Sequence, residues 1–202
     1  KSGDFDFALN RYKELIQEYP LSEYIPDANF RIAVITLRTG DMEGASLLFD
    51  RIETRYMNTR FIDYLPFWKD LIEFKQENWE SATNYFAAFL ENNPASLIKE
   101  AHLYRAKSEY TLGNTKKAVF ILENWAQVSR NIYEDPYLLT FYLTLLEKEG
   151  DYQGVLELFH PMDENQFKKS WMDRINLIYA ESQYKLGNVS EAEIYYQKIL
   201  DA

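Results

Sequence analysis

The stretch YKLGNVSEAEIYYQKIL at residues 184–200 predicts the end of one helix, a Gly-Asn turn and a second, amphipathic helix. A Gly-Asp or Gly-Asn pair recurs along the chain at a step of 36 or 37 residues, and Glu77-Asn78 occupies the one gap in the series. A constant step of this length is typical of proteins built from stacked helical units. The predicted turns begin at residues 3, 40, 77, 113, 150 and 187.

The position of a residue relative to each turn also predicts which side chains pack between helices. Glycine suits the left-handed conformation that ends a helix, and the Asp or Asn after it can cap the next helix. Five residues after each turn start, a small residue predicts close helix approach: Ala8, Ala45, Ala82, Ala118, Val155 and Ala192. Nine residues after it, a large residue is expected to fill the space between helices: Tyr12, Phe49, Phe86, Leu122, Phe159 and Tyr196.

The composition favours packed helices over a turn-rich β fold, because aromatic residues make up 16% of the 202 residues, against only 7 Gly and 6 Pro. We therefore predict one all-α solenoid over residues 1–202. Pro26 and Pro136 suit the first turn of a helix, whereas Pro66 either delays or kinks its helix, and Pro161 shortens the helix before it. The eleven predicted helices cover residues 4–18, 23–39, 41–56, 62–76, 78–92, 96–112, 114–129, 136–149, 151–160, 166–186 and 188–201.

These patterns resemble the tetratricopeptide-repeat (TPR) family, whose Gly-x-aromatic-x-x-Ala-x-x-x-aromatic segment is matched at residues 3–12, 78–86 and 187–196. The resemblance covers nearly the whole chain and implies a right-handed superhelical solenoid that binds proteins in its concave groove. Two repeats depart from the family pattern, because Asp70 and Leu143 occupy a position where the family has a small residue. We therefore expect the second and fourth repeats to pack differently.

The family geometry places groove residues thirteen, ten, six and three positions before each turn. The residues expected to contact a partner are Phe30, Val34, Leu37, Tyr64, Phe67, Leu71, Phe74, Lys107, Tyr110 and Arg174. The same rule adds Tyr137, Thr140, Thr144, Glu147, Leu177, Glu181 and Tyr184 in the polar C-terminal half. The alternative interpretation is that the aromatic stripe at Phe30, Tyr64, Phe67 and Phe74 belongs to the core. A clamp for a terminal carboxylate is disfavoured, because Lys107 and Arg174 are distant in the array.

The composition and motifs also limit which partners, cofactors and activities are expected. The formal net charge of −10 disfavours nucleic acid as a partner, and there is no cysteine. His102 and His160 lie outside any metal-ligand spacing, and no nucleophile or phosphate-binding motif occurs, so we predict no metal, no cofactor and no enzyme activity. The longest apolar run, at 138–146, is too short to cross a bilayer. A helical α/α hydrolase is the least favoured alternative, since it needs two carboxylates that face each other across a closed ring.

A second resemblance concerns location. The links at 15–34 and 89–107 are similar to those of bacterial envelope TPR lipoproteins of the outer-membrane assembly and cell-division type. The sequence thus predicts a non-enzymatic scaffold or adaptor that binds a protein or peptide in the periplasm or envelope. The alternative is a peptide-sensing module of a cytoplasmic regulator. Because the first predicted helix has an uncovered apolar face, we expect further repeats before residue 1, or a second copy stacked on that face.

Overall fold

The computed structural model of the chain describes residues 2–92, 94, 96–160, 162 and 167–201. These residues form eleven α-helices and two short 3-10 helices, with no strand among them, so the all-α prediction is confirmed. Every predicted helix exists, with both ends within three residues of the prediction. The helices are α1 (Ser2–Glu18), α2 (Ile25–Arg38), α3 (Met42–Arg55), α4 (Leu65–Lys75), α5 (Trp79–Glu91), α6 (Ile98–Thr111), α7 (Thr115–Val128), α8 (Pro136–Glu149), α9 (Tyr152–Phe159), α10 (Lys169–Lys185) and α11 (Val189–Leu200).

The chain divides into two compact units, residues 1–108 and 109–202, with the boundary inside α6. In the first unit, α2 packs against α1 and α3, and α4 packs against α3 and α5. In the second unit, α8 packs against α7, α9 and α10, and α10 also packs against α11. The single continuous array over 1–202 stays a prediction.

Left-handed residues end five helices at the predicted turns. Gly40, Gly113, Gly150 and Gly187 have φ between 76° and 98°, and Glu77 has φ of 64°. In each turn the next backbone N–H donates to a carbonyl five residues back, for example from Asp151 to Leu146 at 2.9 Å. This is the Schellman arrangement, which satisfies carbonyls that the end of a helix leaves open. These left-handed turns lie at the predicted turn positions from residue 40 onward, whereas Gly3 lies inside α1.

The aspartates after the turns cap the following helix. The Asp41 carboxylate accepts from the N–H of Gly44 at 2.8 Å, and the Asp151 carboxylate accepts from the N–H of Gly154 at 2.9 Å. A Cβ at Gly44 or Gly154 would lie 2.2 or 2.5 Å from the capping carboxylate. The two glycines outside the repeat phase therefore have a role, because they leave room for the Asp caps.

The asparagines after the turns behave differently from the prediction. Asn78, Asn114 and Asn188 make no side-chain cap. Each instead donates its side-chain amide backward across the turn to the residue five positions earlier. The acceptors are Glu73 at 2.9 Å, Glu109 at 2.8 Å and Gln183 at 2.7 Å. The expectation that Asn caps the next helix is thus wrong in these three turns, because its amide hydrogens find an acceptor on the helix just ended.

The small-then-large packing prediction is confirmed in the interior repeats. At most 1% of Ala45, Ala82, Ala118, Val155 and Ala192 is exposed, and Phe49, Phe86, Leu122 and Phe159 are buried. The pattern weakens at both ends: Ala8 and Tyr12 on α1 are only half-buried, as is Tyr196 on α11, where the adjacent Tyr195 is buried instead.

The prolines start helices. Pro26 and Pro136 lie in the first turns of α2 and α8, as predicted, and the Asp135 carboxylate accepts from two backbone N–H groups of α8 at 3.1 Å. Pro66 delays its helix, because a 3-10 turn at Ile62–Tyr64 precedes it and α4 begins at Leu65. The predicted irregular link at 161–166 lies outside the described residues except for Met162, and α9 ends at Phe159.

Replacement of Glu77 by glycine should stabilise the protein. The left-handed φ costs an L-residue free energy that glycine avoids, so Glu77→Gly should raise the free energy of unfolding by about 1 kcal/mol. Urea denaturation measures the change. The matched control is Gly150→Ala, whose new Cβ meets no atom within 4 Å and which should lose about 1 kcal/mol through the backbone alone. A loss of stability in Glu77→Gly would contradict this account.

The two turn chemistries should not be interchangeable. Glu109 is buried, with 7% exposed, and it accepts from Asn114 while Lys117 lies 3.9 Å away. Asn114→Asp places a second carboxylate against that acceptor and should cost about 1–3 kcal/mol at pH 7 in urea denaturation. Asp151→Asn, the opposite change at an Asp turn, should cost less than about 1 kcal/mol, since both residues cap helices well. Equal losses in the two variants would be inconsistent with distinct turn types.

Candidate functional site

Five of the predicted groove residues lie in the core of the first unit. Phe30, Val34, Leu37, Phe67 and Leu71 are between 1% and 7% exposed. The expectation that these side chains are open to a partner is therefore wrong, and the alternative, that they are core, holds for them.

These side chains are covered by other aromatic rings, of which the repeat pattern singled out only Phe86. The Phe30 ring stacks on Phe61 with centroids 4.4 Å apart, and Phe67 lies 5.7 Å from both Phe86 and Phe89. Phe61 immediately precedes the 3-10 turn before α4 and is itself 5% exposed. Aromatic contacts of this kind fix the interior of the unit rather than a docking surface.

Tyr64 and Phe74 occupy the margin of the same core. Both are half-buried and pack against its buried residues. Phe74 lies between Trp79 and Tyr104, with ring centroids 5.0 Å and 4.8 Å away. Lys107 follows on α6, with its ammonium 5.7 Å from the centroid of the Tyr104 ring. This region therefore offers edges of aromatic rings.

The second unit contains an open cleft at the predicted groove positions. It measures about 360 Å³ and brings Tyr110 of α6 and Arg174 of α10 together with residues of α8. Three further groove positions, Tyr137, Thr140 and Thr144, line it as the family geometry predicts. We call this site the aromatic cleft; its eight lining residues are Tyr110, Tyr137, Thr140, Phe141, Thr144, Lys148, Trp171 and Arg174.

Sequence reasoning missed three residues of the aromatic cleft. Phe141 and Lys148 each lie four residues after a predicted groove position on α8, and Trp171 lies three residues before Arg174 on α10. Residues three or four apart share one face of a helix. Extending each groove position by one helical turn would have found all three.

The walls of the aromatic cleft are rings in edge-to-face contact. Tyr110 meets Phe141 with centroids 6.0 Å apart, and Tyr137 meets Trp171 at 6.2 Å. The hydroxyl of Thr140 donates to a carbonyl of its own helix at 2.6 Å, and that of Thr144 donates likewise at 2.8 Å. With both threonine hydroxyls so engaged, the surface between the walls is largely apolar.

The charge of the aromatic cleft is positive, although the chain is acidic. Lys148 and Arg174 line it and are exposed, and none of its eight lining residues is acidic. The Lys148 ammonium lies 5.5 Å from the centroid of the Tyr110 ring, and its hydrogen bond to Tyr110 raises the pKa of Lys148. The arrangement can hold an aromatic or aliphatic side chain beside an anionic group.

A carboxyl pair adjoins the cleft. Glu147 lies next to Lys148 on α8, and its side chain hydrogen-bonds to Glu181 on α10, so the pair shares a proton. Burial, with the hydrogen bond and charge of Glu181, raises the pKa of Glu147 to about 7, while Lys148 opposes the shift. Near neutral pH the groove therefore changes from positive to negative within a short distance along α8.

A histidine on α6 and an aspartate on α4 also have shifted pKa values. Burial and the Arg105 guanidinium lower the pKa of His102 to about 4, which leaves the imidazole neutral at pH 7. Burial, with the nearby Glu73 carboxylate, raises the pKa of Asp70 to about 7, although Lys69 opposes the shift. Across the described parts of the chain, no three His, Asp or Glu side chains are grouped to hold a metal ion, and no helix is long and apolar enough to span a membrane.

An apolar surface follows α1 in the first unit. Leu21 is 99% exposed in the link to α2, and Tyr19 and Tyr24 are 60% exposed. Phe7 on α1 is also exposed. Exposed apolar patches of this kind mark sites of association. Stacking of a second copy here stays a prediction.

Family models place the chain among known proteins. A tetratricopeptide-repeat model matches residues 1–58 and 71–128, which is more than half of the chain, and a second tetratricopeptide-repeat model matches residues 176–202. The chain therefore belongs to the tetratricopeptide-repeat family. No curated protein matches the sequence.

Solved structures show the same fold. BtubC (BKLC) from P. vanneervenii superposes with a TM-score of 0.66 at 11% identity, over 98% of this chain and 88% of that protein. A tetratricopeptide repeat protein from Parabacteroides merdae superposes with a TM-score of 0.61 at 15% identity, over 99% of this chain and 74% of that protein. At these identities the likeness concerns the fold alone. The predicted family and the all-helical repeat fold are confirmed.

Asp70 should make stability depend on pH. It occupies the position where Ala33, Ala106 and Ala180 are fully buried, and it is itself 8% exposed. Its pKa rises from 3.8 to about 7 on folding, so the folded state holds the proton more tightly, and stability falls as pH rises from about 4 to about 7. At its steepest, the free energy of unfolding falls by about 1.4 kcal/mol per pH unit because of this group.

Asp70→Ala removes this dependence and restores the small residue. The free energy of unfolding of the variant, minus that of the wild type, should increase between pH 4 and pH 7 and then remain constant. Urea denaturation at pH 4.5, 5.5, 6.5 and 8 measures it, and contributions from Glu147 cancel because both proteins carry it. A difference independent of pH would contradict the assigned burial of the Asp70 carboxylate.

Proposed function

We propose that this chain is a non-enzymatic protein-binding scaffold whose partner segment lies in the aromatic cleft of residues 109–202. The observation that carries the proposal is that five groove positions of the family geometry line one open cleft, together with three further aromatic or cationic residues. TPR proteins in general mediate protein–protein interaction, and stacked first helices supply the contact surface. The cleft therefore combines the family's binding position with an accessible surface.

The cleft chemistry defines the segment. Tyr137 is 43% exposed and, with Trp171, offers ring surface that an aromatic or aliphatic side chain can cover. Lys148 and Arg174 supply charge for a carboxylate in the same segment. Glu147 and Glu181 repel a second carboxylate placed further along the groove. The preferred segment thus carries one apolar residue beside one acidic residue, rather than a long acidic run.

We place this scaffold in the bacterial envelope, on the similarity of the links at 15–34 and 89–107 to envelope TPR proteins. In the alternative, the same cleft senses a peptide in a cytoplasmic regulator. The two proposals differ in the cell fraction that contains the partner. Neither requires bond-making chemistry in the cleft, where no carboxylate or histidine is among the lining residues.

The test compares partner capture by three forms of the chain from separated membrane and soluble fractions of the source organism. The first form is wild type, the second Tyr137→Ala/Arg174→Ala, and the third the control Lys116→Ala/Phe120→Ala. The control removes an exposed aromatic residue and an exposed cation from α7, away from the cleft. Circular dichroism and urea denaturation confirm that all three are equally folded.

Wild type and control should retain the same partner, and the cleft variant should lose it. The bound segment is then mapped and synthesised, and replacing its acidic residue by Ala should weaken its affinity about fivefold or more. A partner from the membrane fraction supports the envelope location, and one from the soluble fraction supports the regulator. Retention of the partner by the cleft variant would overturn the proposed site.

A further inference from the structure

A second cleft in the unit of residues 109–202 has the opposite charge. It measures about 250 Å³ and lies between α7, α8, α9 and the 3-10 turn at Arg130–Glu134. We call it the acidic notch; its described lining residues are Val119, Glu123, Tyr133, Tyr142, Leu146, Asp151, Gly154, Glu157 and Leu158. Three of these are carboxylates and none is cationic.

The acidic notch is separate from the aromatic cleft. Thr140 and Thr144 of α8 line the aromatic cleft, whereas Tyr142 and Leu146 of the same helix line the acidic notch. At 3.6 residues per turn, side chains two residues apart differ in direction by about 200°. The two sites therefore lie on opposite faces of α8, and the notch belongs to no groove position of the repeat.

The notch has one polar group that its surroundings leave unused. Tyr142 is only 6% exposed, and none of the hydrogen bonds among the described residues involves its hydroxyl. Burial raises the pKa of Tyr142, and the charges of Glu123 and Asp151 raise it further, which places the hydroxyl beside the notch carboxylates. Most of the side chain is buried, while the hydroxyl lies at the surface of the notch, where a ligand or water can reach it.

The carboxylates of the notch are not fully used either. Asp151 caps α9 through one oxygen, and Glu157 accepts from Gln153 at 3.3 Å through one oxygen. Each keeps a further oxygen, and Glu123 is exposed on α7. Val119, Leu146 and Leu158 supply apolar surface beside these oxygens. The site thus offers an aliphatic lining, two tyrosine rings and several anionic acceptors.

We propose that the acidic notch binds the side chain of a lysine or arginine from a partner protein. The aliphatic stem packs on Val119, Leu146 and Leu158, as long cationic side chains do on apolar surface. The cationic head is held by Glu123, Asp151 and Glu157, and the Tyr142 hydroxyl is free to accept one of its hydrogens. A scaffold with both sites contacts an acidic segment on one face of α8 and a basic side chain on the other.

The test is a titration of the ¹⁵N-labelled chain, followed by NMR, with small amides that reproduce single side chains. The charged probes are the Nα-acetyl amides of lysine and arginine, and the uncharged control of similar length is that of norleucine. Backbone signals of Val119, Tyr142 and Leu158 should shift with the charged probes and remain unchanged with norleucine. Because the interaction is electrostatic and partly exposed, raising the salt concentration should weaken it.

Variants assign the effect to the notch. Glu123→Gln/Glu157→Gln should weaken binding of the lysine probe about tenfold, at roughly two- to fivefold per carboxylate. The matched control Glu193→Gln/Asp201→Asn removes the same charge from α11 and the residue after it, and should leave the affinity unchanged. Tyr142→Phe keeps the packing and removes the hydroxyl, so it should weaken binding while urea denaturation shows a folded protein.

Three results would overturn the proposal. The first is an absence of shifts with the charged probes, and the second is equal shifts with norleucine, which would make the site apolar. The third is displacement of the lysine probe by millimolar calcium chloride but not by sodium chloride of equal ionic strength, which would make it a metal site. The test is independent of the aromatic cleft, because a Tyr137→Ala/Arg174→Ala protein should bind the lysine probe as wild type does.

Discussion

The left-handed turn between paired helices is the constraint on which the structure depends. At residues 40, 77, 113, 150 and 187, one residue with positive φ reverses the chain. Five residues later the following helix places a small side chain against its neighbour. The hydrogen bond from the residue after the turn to the carbonyl five positions back fixes the exit direction. Because the turn at residue 150 sets how α9 packs against α8, it also limits which faces of α8 remain open.

The turn chemistry and the repeat fold could be predicted from the sequence for a simple reason. Both depend on local constraints, namely the need for glycine at positive φ and the fixed spacing of residues on one helix face. The difference between Asp and Asn turns was also encoded, by a Gly three residues after Asp41 and Asp151 and by Glu or Gln five residues before each Asn. A prediction that treats Asp and Asn as equivalent helix caps does not distinguish the two turn types.

The candidate site was harder to predict because exposure is a tertiary property. Phe30 and Phe67 satisfy the groove spacing as well as Tyr137 does, yet Phe61, Phe86 and Phe89 cover them. Phe61 lies outside the repeat phase, so the periodic pattern carried no signal for it. In the second unit the groove spacing did identify an accessible cleft. The acidic notch draws on four different elements, which helix periodicity cannot bring together.

We propose that the binding surface lies on the second unit, whereas Phe30 and Phe67 of the aromatic stripe belong to the core of the first unit. Hydroxyl-radical footprinting with mass spectrometry tests this directly, because labelling rates follow the solvent exposure of each side chain. Tyr137, at 43% exposed, should be labelled fast, whereas Phe30 and Phe67, at 6% and 2% exposed, should be labelled at least tenfold more slowly relative to the free amino acids. Labelling of Phe30 and Phe67 at rates similar to that of Tyr137 would contradict the assignment of these two residues to the core.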